Sequence, residues 1–282
     1  MADRGDQQAS TRDHDRHENR HLLAQSSGRA FGGALLFALP LLMTMEIWSL
    51  ALSVPRYRLA LLMVATVVLV VFLSQHFGAG TSSVGWPGYL ADAGVAFVMA
   101  AVAAVLVLGV LAVIEPLRNW QDALSITSLA LLPAAVGASF ARSQLGAGGR
   151  RTPTTTYGGE LLLMAAGAVV FAANIAPTEE VVLLAAEIDP WHPVALVLLC
   201  LVLMHGFVYW VGFRGQESAA GGVLRSFLTL TVVGYVIALT VSAYLLWTFG
   251  RFDGAGAAMA VTEAVVLALP ASLGAAAARL IL

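Results

Sequence analysis

The chain has 282 residues, 59% of them hydrophobic and 11% charged, with a mean hydropathy of +0.82; a soluble domain carries about 25% charged residues. This excludes a water-soluble globule and implies a polytopic membrane protein. The net charge of -2 argues against a nucleic-acid partner, and the single cysteine, Cys200, excludes an intramolecular disulfide and a cysteine-based metal site.

Residues 1–29 read as a disordered polar tail, with no short basic region leading into an apolar core as a cleavable signal would have. His14, His17 and His21 would share a helix face near Asp13, Asp15 and Glu18, a pattern able to bind a metal weakly but more commonly just solvated. About eight apolar spans follow, near 30–52, 57–77, 89–114, 122–142, 161–188, 193–213, 226–248 and 256–282. The expected fold is therefore an all-α integral membrane bundle of about eight transmembrane helices.

Arginine placement sets the orientation. With the N-terminus inside, the inner segments hold Arg4, Arg12, Arg16, Arg20, Arg29, Arg142, Arg150, Arg151, Arg214, Arg225 and Arg279. The outer loops hold only Arg56, Arg58, Arg118 and Arg251. Both termini are expected in the cytoplasm of a bacterial inner membrane. Trp48, Trp120, Trp191 and Trp247 fall near outer span ends, and Trp86 and Trp210 near inner ones, where indoles favour the interface.

An internal repeat is expected. Leu132-Pro133-Ala134, Gly137-Ala138 and Ala141-Arg142 recur as Leu269-Pro270-Ala271, Gly274-Ala275 and Ala278-Arg279, a step of 137 residues. The same step carries Pro40 onto Pro177. The chain then divides into a first four-helix half at 30–142, a glycine- and arginine-containing cytoplasmic linker at 143–160, and a second half at 161–282. Four spans per half make the halves parallel, an arrangement found among transporters. Chance likeness between two alanine-rich helices is the plainer explanation to set against it.

The most informative stretch is Asn174-Ile175-Ala176-Pro177-Thr178-Glu179-Glu180, in the outer part of the fifth span. One charge near the middle of a membrane helix costs about 2.5–3.5 kcal/mol on insertion scales. Two adjacent carboxylates are therefore hard to place against lipid. Pro177 would free the Ala173 carbonyl and Pro40 that of Leu36. Glu46 and Glu263 lie at similar outer depth in the first and last spans. Glu179, Glu180, Glu46, Asn174, Thr178 and Glu263 are thus the expected ion-binding or gating groups, with Glu179, Glu180 and Glu46 the ligands of a hard cation. Pro40, Pro177, Pro133 and Pro270 are the expected helix breaks. Neighbouring helix residues point about 100° apart, so one of Glu179 and Glu180 would face the site and the other pair with Arg56, Arg58 or Arg118. The bland alternative makes all of these acids solvated helix ends. Asp92 reads as interfacial.

His76 and His205 lie towards the inner ends of corresponding spans, and two facing imidazoles could relay protons or ligate haem iron. A histidine bonded to a local carbonyl is the commoner case. No metallohydrolase, nucleophile-elbow or phosphate-loop motif is present, so no enzyme is expected. Gly94, Gly109, Gly137, Gly274 and Ala275 to Ala278 would let helices approach closely, inside the chain or in a homo-oligomer.

The arginine-rich tail, eight spans and Asn-x-x-Pro-x-Glu-Glu stretch together resemble an uncharacterised family of bacterial integral membrane proteins. The resemblance covers most of the chain and implies a fold and a location, without an activity. The expected function is passage of a small cation (Ca²⁺, Na⁺ or H⁺), with no resident cofactor and with lipid as the surrounding partner. A haem- or quinone-linked electron carrier and a non-transporting scaffold are the alternatives.

Overall fold

A computed structural model describes residues 24–77, 85–115, 118–145, 156–210, 224 and 227–281. The His14–His17–His21 tail, the middle of the 143–160 linker and the arginines at 150, 151, 214 and 225 lie outside the described residues.

The described elements are helical. They are α1 (Ala24–Leu42), α2 (Met45–Ser53), α3 (Arg56–Phe77), α4 (Trp86–Val110), α5 (Trp120–Leu145), α6 (Tyr157–Ile175), α7 (Glu180–Glu187), α8 (His192–Trp210), a π-helical turn (Phe227–Val232), α9 (Val233–Thr248) and α10 (Ala257–Ile281). Six helices are long and apolar enough to cross a membrane, and eight spans result if each of two bent pairs counts as one. The bends are 83° between α1 and α2 and 119° between α7 and α8.

Two of the expected spans are therefore not continuous rods. The span drawn at 30–52 contains the α1–α2 bend, and that at 161–188 ends as α6 at Ile175 before α7 begins. Both breaks are closed by threonine. Thr44 N and Oγ1 donate to the Leu41 carbonyl at 3.2 and 2.8 Å, and Thr178 N and Oγ1 to the Ile175 carbonyl at 2.9 and 2.8 Å. Such a side-chain bond offers the backbone an alternative to the next helical turn. The helices that follow are short and one-sided: α2 buries Ile47 and Ala51 against α5, and α7 buries Val181 and Ala185 against α10. An i, i+4 pair is the narrowest apolar stripe a short helix can present.

The core is built on small residues. An added Cβ on Gly33 of α1 would lie 2.4 Å from the Gly137 carbonyl of α5, and one on Gly137 would lie 2.5 Å from the Gly33 carbonyl. On α6 and α10, Gly167 and Gly274 meet in the same way, at 2.2 and 2.3 Å. Only glycine permits so close an approach of two backbones. Ala271, Ala275, Ala276 and Ala278 of α10 are buried inside the chain, so these alanines of the last helix pack within the bundle. Gly94 and Gly109 of α4 have no neighbour within 4 Å.

Pro40 and Pro177 do not occupy like positions, contrary to the step of 137. Pro40 is exposed inside α1, whereas Pro177 is buried in the turn after α6. Pro133 and Pro270 are alike: each lies inside its helix, a turn before the crossing glycine.

Ion pairs mark the two ends of the bundle. At one end Arg58 at the start of α3 makes a two-pronged bond to Asp253 between α9 and α10, at 2.8 and 2.7 Å, and Arg56 donates to Gln121 at the start of α5. At the other, Arg142 of α5 binds Asp92 of α4 at 2.8 Å and Arg279 of α10 reaches Glu160 of α6 at 3.3 Å. Asp92, expected to be merely interfacial, is thus the partner of a repeat-motif arginine.

Candidate functional site

The Thr156 side chain caps α6 by accepting from Gly159 N. Its 19 residues rise about 28 Å, close to the thickness of a hydrocarbon core. The helix closes with Ala176 N donating to Ala172 O at 2.7 Å and with the threonine turn above. Pro177 has no N–H to extend it. Glu179 and Glu180 follow and open α7, both exposed. They lie beyond the end of α6, at the start of the bent α7–α8 pair, and Glu46, half-buried on α2, stands likewise beyond the end of α1 in the bent α1–α2 pair.

The residue that ties this turn to the bundle is Arg251. Gly250 (φ 74°) and Gly254 (φ 82°) take left-handed backbone at either side of it, a conformation glycine adopts without steric cost. The tight loop sends Asp253 outward to Arg58 and Arg251 inward. Arg251 Nη2 donates to the Pro177 carbonyl. Glu180 follows two residues after Thr178 in the same turn, and α6 and α7 both pack on α10, which carries Glu263. The hydrogen bond from Arg58 holds the Asp253 carboxyl below the usual carboxylate range.

Glu263 is the buried member of the group. It sits two turns into α10 and is 1% exposed. Its Oε2 has no hydrogen-bond partner among the described residues, and neither has the buried Nε of Arg251. A buried carboxylate oxygen left unpaired is costly when ionised. Pro177, Thr178, Glu180, Arg251 and Glu263 therefore form one polar cluster at the end of the bundle where α6, α7 and α10 meet.

Asn174 is placed differently from expectation. Its Oδ1 accepts from Leu41 N at 3.1 Å, and its Nδ2 donates to Phe37 O at 3.2 Å and to Val170 O at 2.6 Å. Leu41 N and Phe37 O are the donor and acceptor that a regular helix pairs directly. The amide of α6 thus bridges the ladder of α1 beside Pro40 and ties α6 to α1.

Among the described residues no three His, Cys, Asp or Glu side chains are arranged to hold a metal ion. The Glu46–Glu179–Glu180 ligand set is not assembled in this conformation. The arginines expected to pair with Glu179 or Glu180 are engaged elsewhere: Arg56 with Gln121, Arg58 with Asp253 and Arg118 with Glu115. Arg251, counted only for orientation, instead reaches the turn that precedes them, at the Pro177 carbonyl. The signal available was its position between two glycines, two residues from an acid.

His76 is exposed and bonds the Phe72 carbonyl of its own helix at 3.0 Å. His205 is half-buried, lies 3.1 Å from Thr231 Oγ1 on the π-helical turn, and packs edge-on to Phe227. Each histidine has a local partner, the arrangement of a structural imidazole.

Searches of curated proteins and of solved structures find no match to the chain. A family model does match, over residues 26–282, which takes in α2 to α10, all but the first two residues of α1, and every residue of the polar cluster. The chain is a multi-pass integral membrane protein and belongs to the family described as "Putative integral membrane protein (DUF2391)".

Proposed function

We propose that the protein passes a small cation, H⁺, Na⁺ or Ca²⁺, across the bacterial inner membrane through the Pro177–Glu180–Arg251–Glu263 cluster, with that end of the bundle facing outward and both termini in the cytoplasm. The observation that carries this is Glu263: a carboxylate inside a membrane-spanning helix, 1% exposed, with an oxygen that no described residue satisfies. Intramembrane acids of this kind mark ion or proton pathways. Glu179 and Glu180, exposed just beyond it, would form the entrance, and Glu46 its counterpart on the first half. The arginine bias supports the orientation, since Arg56, Arg58, Arg118 and Arg251 all belong to segments at the cluster's end.

The proposal includes a two-half architecture. Its support is the recurrence of a glycine crossing, a threonine-closed break and a short one-sided helix in each half. The last helices recur at 137 residues, from Gly137 to Gly274. The first helices fit a step of 134, from Gly33 to Gly167, which also pairs Phe37 with Phe171, Thr44 with Thr178 and Glu46 with Glu180. On that step Asn174 takes the place of Pro40.

The test is flux through purified protein in liposomes, followed for H⁺, Na⁺ and Ca²⁺. Flux that Glu263→Gln abolishes, and that Glu179→Gln with Glu180→Gln reduces, is expected. Folded protein that passes none of the three ions refutes passage and leaves a scaffold.

A further inference from the structure

The cation reading does not say how Glu263 is used, and the cluster's geometry bears on that. Glu263 has two ways to avoid the cost of a buried anion with an unpaired oxygen: it can hold a proton, or it can pair with a cation. The cation at this end with an unmet donor is Arg251, whose buried Nε, like Glu263 Oε2, has no hydrogen-bond partner among the described residues. In this structure that guanidinium is not hydrogen-bonded to Glu263; its Nη2 holds the Pro177 carbonyl. One guanidinium thus holds a backbone carbonyl at the α6–α7 turn while its Nε and the Glu263 Oε2 on α10 both stay unpaired.

A metal cation suits the position poorly. Calcium takes about six to eight oxygen ligands, and no three acids converge among the described residues. A proton needs one oxygen. The elements packed on α10 are α6, α7, α8 and α9. The titratable groups they bring to this end are Glu179 just before α7, Glu180 and Glu187 on α7, Asp189 and His192 where α8 begins, and Tyr244 on α9. The adjoining loop brings Arg251 and Asp253, the latter held by Arg58.

Building on the proposed cation passage, we propose that Glu263 is a proton-binding site and that Arg251 changes partner with its protonation, holding Pro177 when Glu263 carries the proton and Glu263 when it does not. In the exchange the carboxyl O–H bond breaks, the proton passes to water at the outer face, and the electron pair stays on the carboxylate. Arg251 then swings to it and releases the turn. Because Glu179 and Glu180 begin directly after Pro177, the loss of one proton inside the bundle loosens the acidic entrance. The site is thereby regulated by the ion it binds.

The experiment uses the full chain in phosphatidylcholine–phosphatidylglycerol liposomes. Infrared difference spectra between acid and alkaline buffer should show a carboxylic-acid C=O band that is lost with rising pH and is missing in Glu263→Gln. Hydrogen exchange at residues 176–180, corrected for the intrinsic pH effect, should run about tenfold faster in the alkaline state, the effect of losing one hydrogen bond to a charged donor. In Glu263→Gln this pH dependence should vanish. Should that variant fail to fold, Arg251→Gln serves: the carboxyl band stays, while the turn exchanges fast at both pH values. A band unchanged in Glu263→Gln, or turn protection that follows pH equally in both variants, overturns the proposal. Proton entry read by an internal pyranine dye separates it from the broader reading. Switching without flux of any cation refutes passage and keeps the proton site. Na⁺ or Ca²⁺ flux indifferent to Glu263→Gln, with no pH-dependent band, refutes the proton site and keeps passage.

Discussion

Replacing Gly167 by alanine tests the packing on which the cluster rests. The new Cβ would sit 2.2 Å from the Gly274 carbonyl oxygen and 2.6 Å from the Ala278 Cβ. Both obstacles are backbone or bound directly to it, so no side-chain rotation removes them. To restore ordinary contact, α6 and α10 must separate locally by about 1 Å. That opens gaps along a crossing now filled by buried Ala166, Met164 and Val170 on α6 and Ala271, Ala275 and Ala278 on α10. Overpacking of this sort costs about 1–3 kcal/mol. Alanine's higher helix propensity offsets this by at most about 1 kcal/mol. Gly94→Ala is the control: it lies on a helix of similar length with nothing within 4 Å, and its stability should stay within about 0.5 kcal/mol of wild type. The assay is reversible unfolding in mixed micelles, titrating SDS and following helix circular dichroism. Gly33→Ala should behave like Gly167→Ala, since its Cβ would meet Gly137 and Ala141 at 2.4 Å. Equal midpoints for Gly167→Ala and Gly94→Ala would refute the close backbone crossing.

Asn174→Ala should lower stability by about 1–3 kcal/mol, because a buried donor and acceptor on α1 lose their partner together. Asn174→Asp should be worse than Ala, since one carboxylate oxygen would face the Phe37 carbonyl where the amide donated; an aspartate variant as stable as wild type in the same SDS titration would sink the bridging role. The Arg58–Asp253 staple has a defined pH response. The folded Asp253 carboxyl is held below its ordinary range by the Arg58 bond, so its contribution is present above the unfolded value of about 3.9 and is lost only as pH falls through the lower folded value. Proteolysis at the 249–256 loop should thus be unchanged between pH 8 and 5 in wild type and raised throughout in Asp253→Asn. A loop that already opens near pH 6 in wild type contradicts the depressed carboxyl.

Much was legible in the chain itself. Membrane residence followed from apolar runs too long and too poorly charged to fold in water, and the bundle class from the rule that spanning backbone must bond within itself. Glu263 was noticed, with Glu46, Glu179 and Glu180, because ionisable residues inside such runs are expensive, but the adjacent pair drew the weight and only burial singled out Glu263. Pro133 with Gly137, and Pro270 with Gly274, were visible as a repeated pattern because proline and glycine constrain backbone wherever they fall. What stayed hidden was long-range. A hydropathy window cannot separate one span from a helix followed by a bent short one, so Glu46, Glu179 and Glu180 were read into spans whose ends only the threonine turns define. Asn174 looked like a ligand because an amide serves ion and backbone alike; only the approach of α1 showed its three bonds to carbonyls and an N–H. Arg251 lies 74 residues from Pro177, and no spacing rule connects a loop arginine to a distant carbonyl. The sequence determined which groups were too costly to leave unpaired. The folding of α6 against α10 decided what each was paired with, because hydrogen-bond partners are chosen by proximity in space and not along the chain.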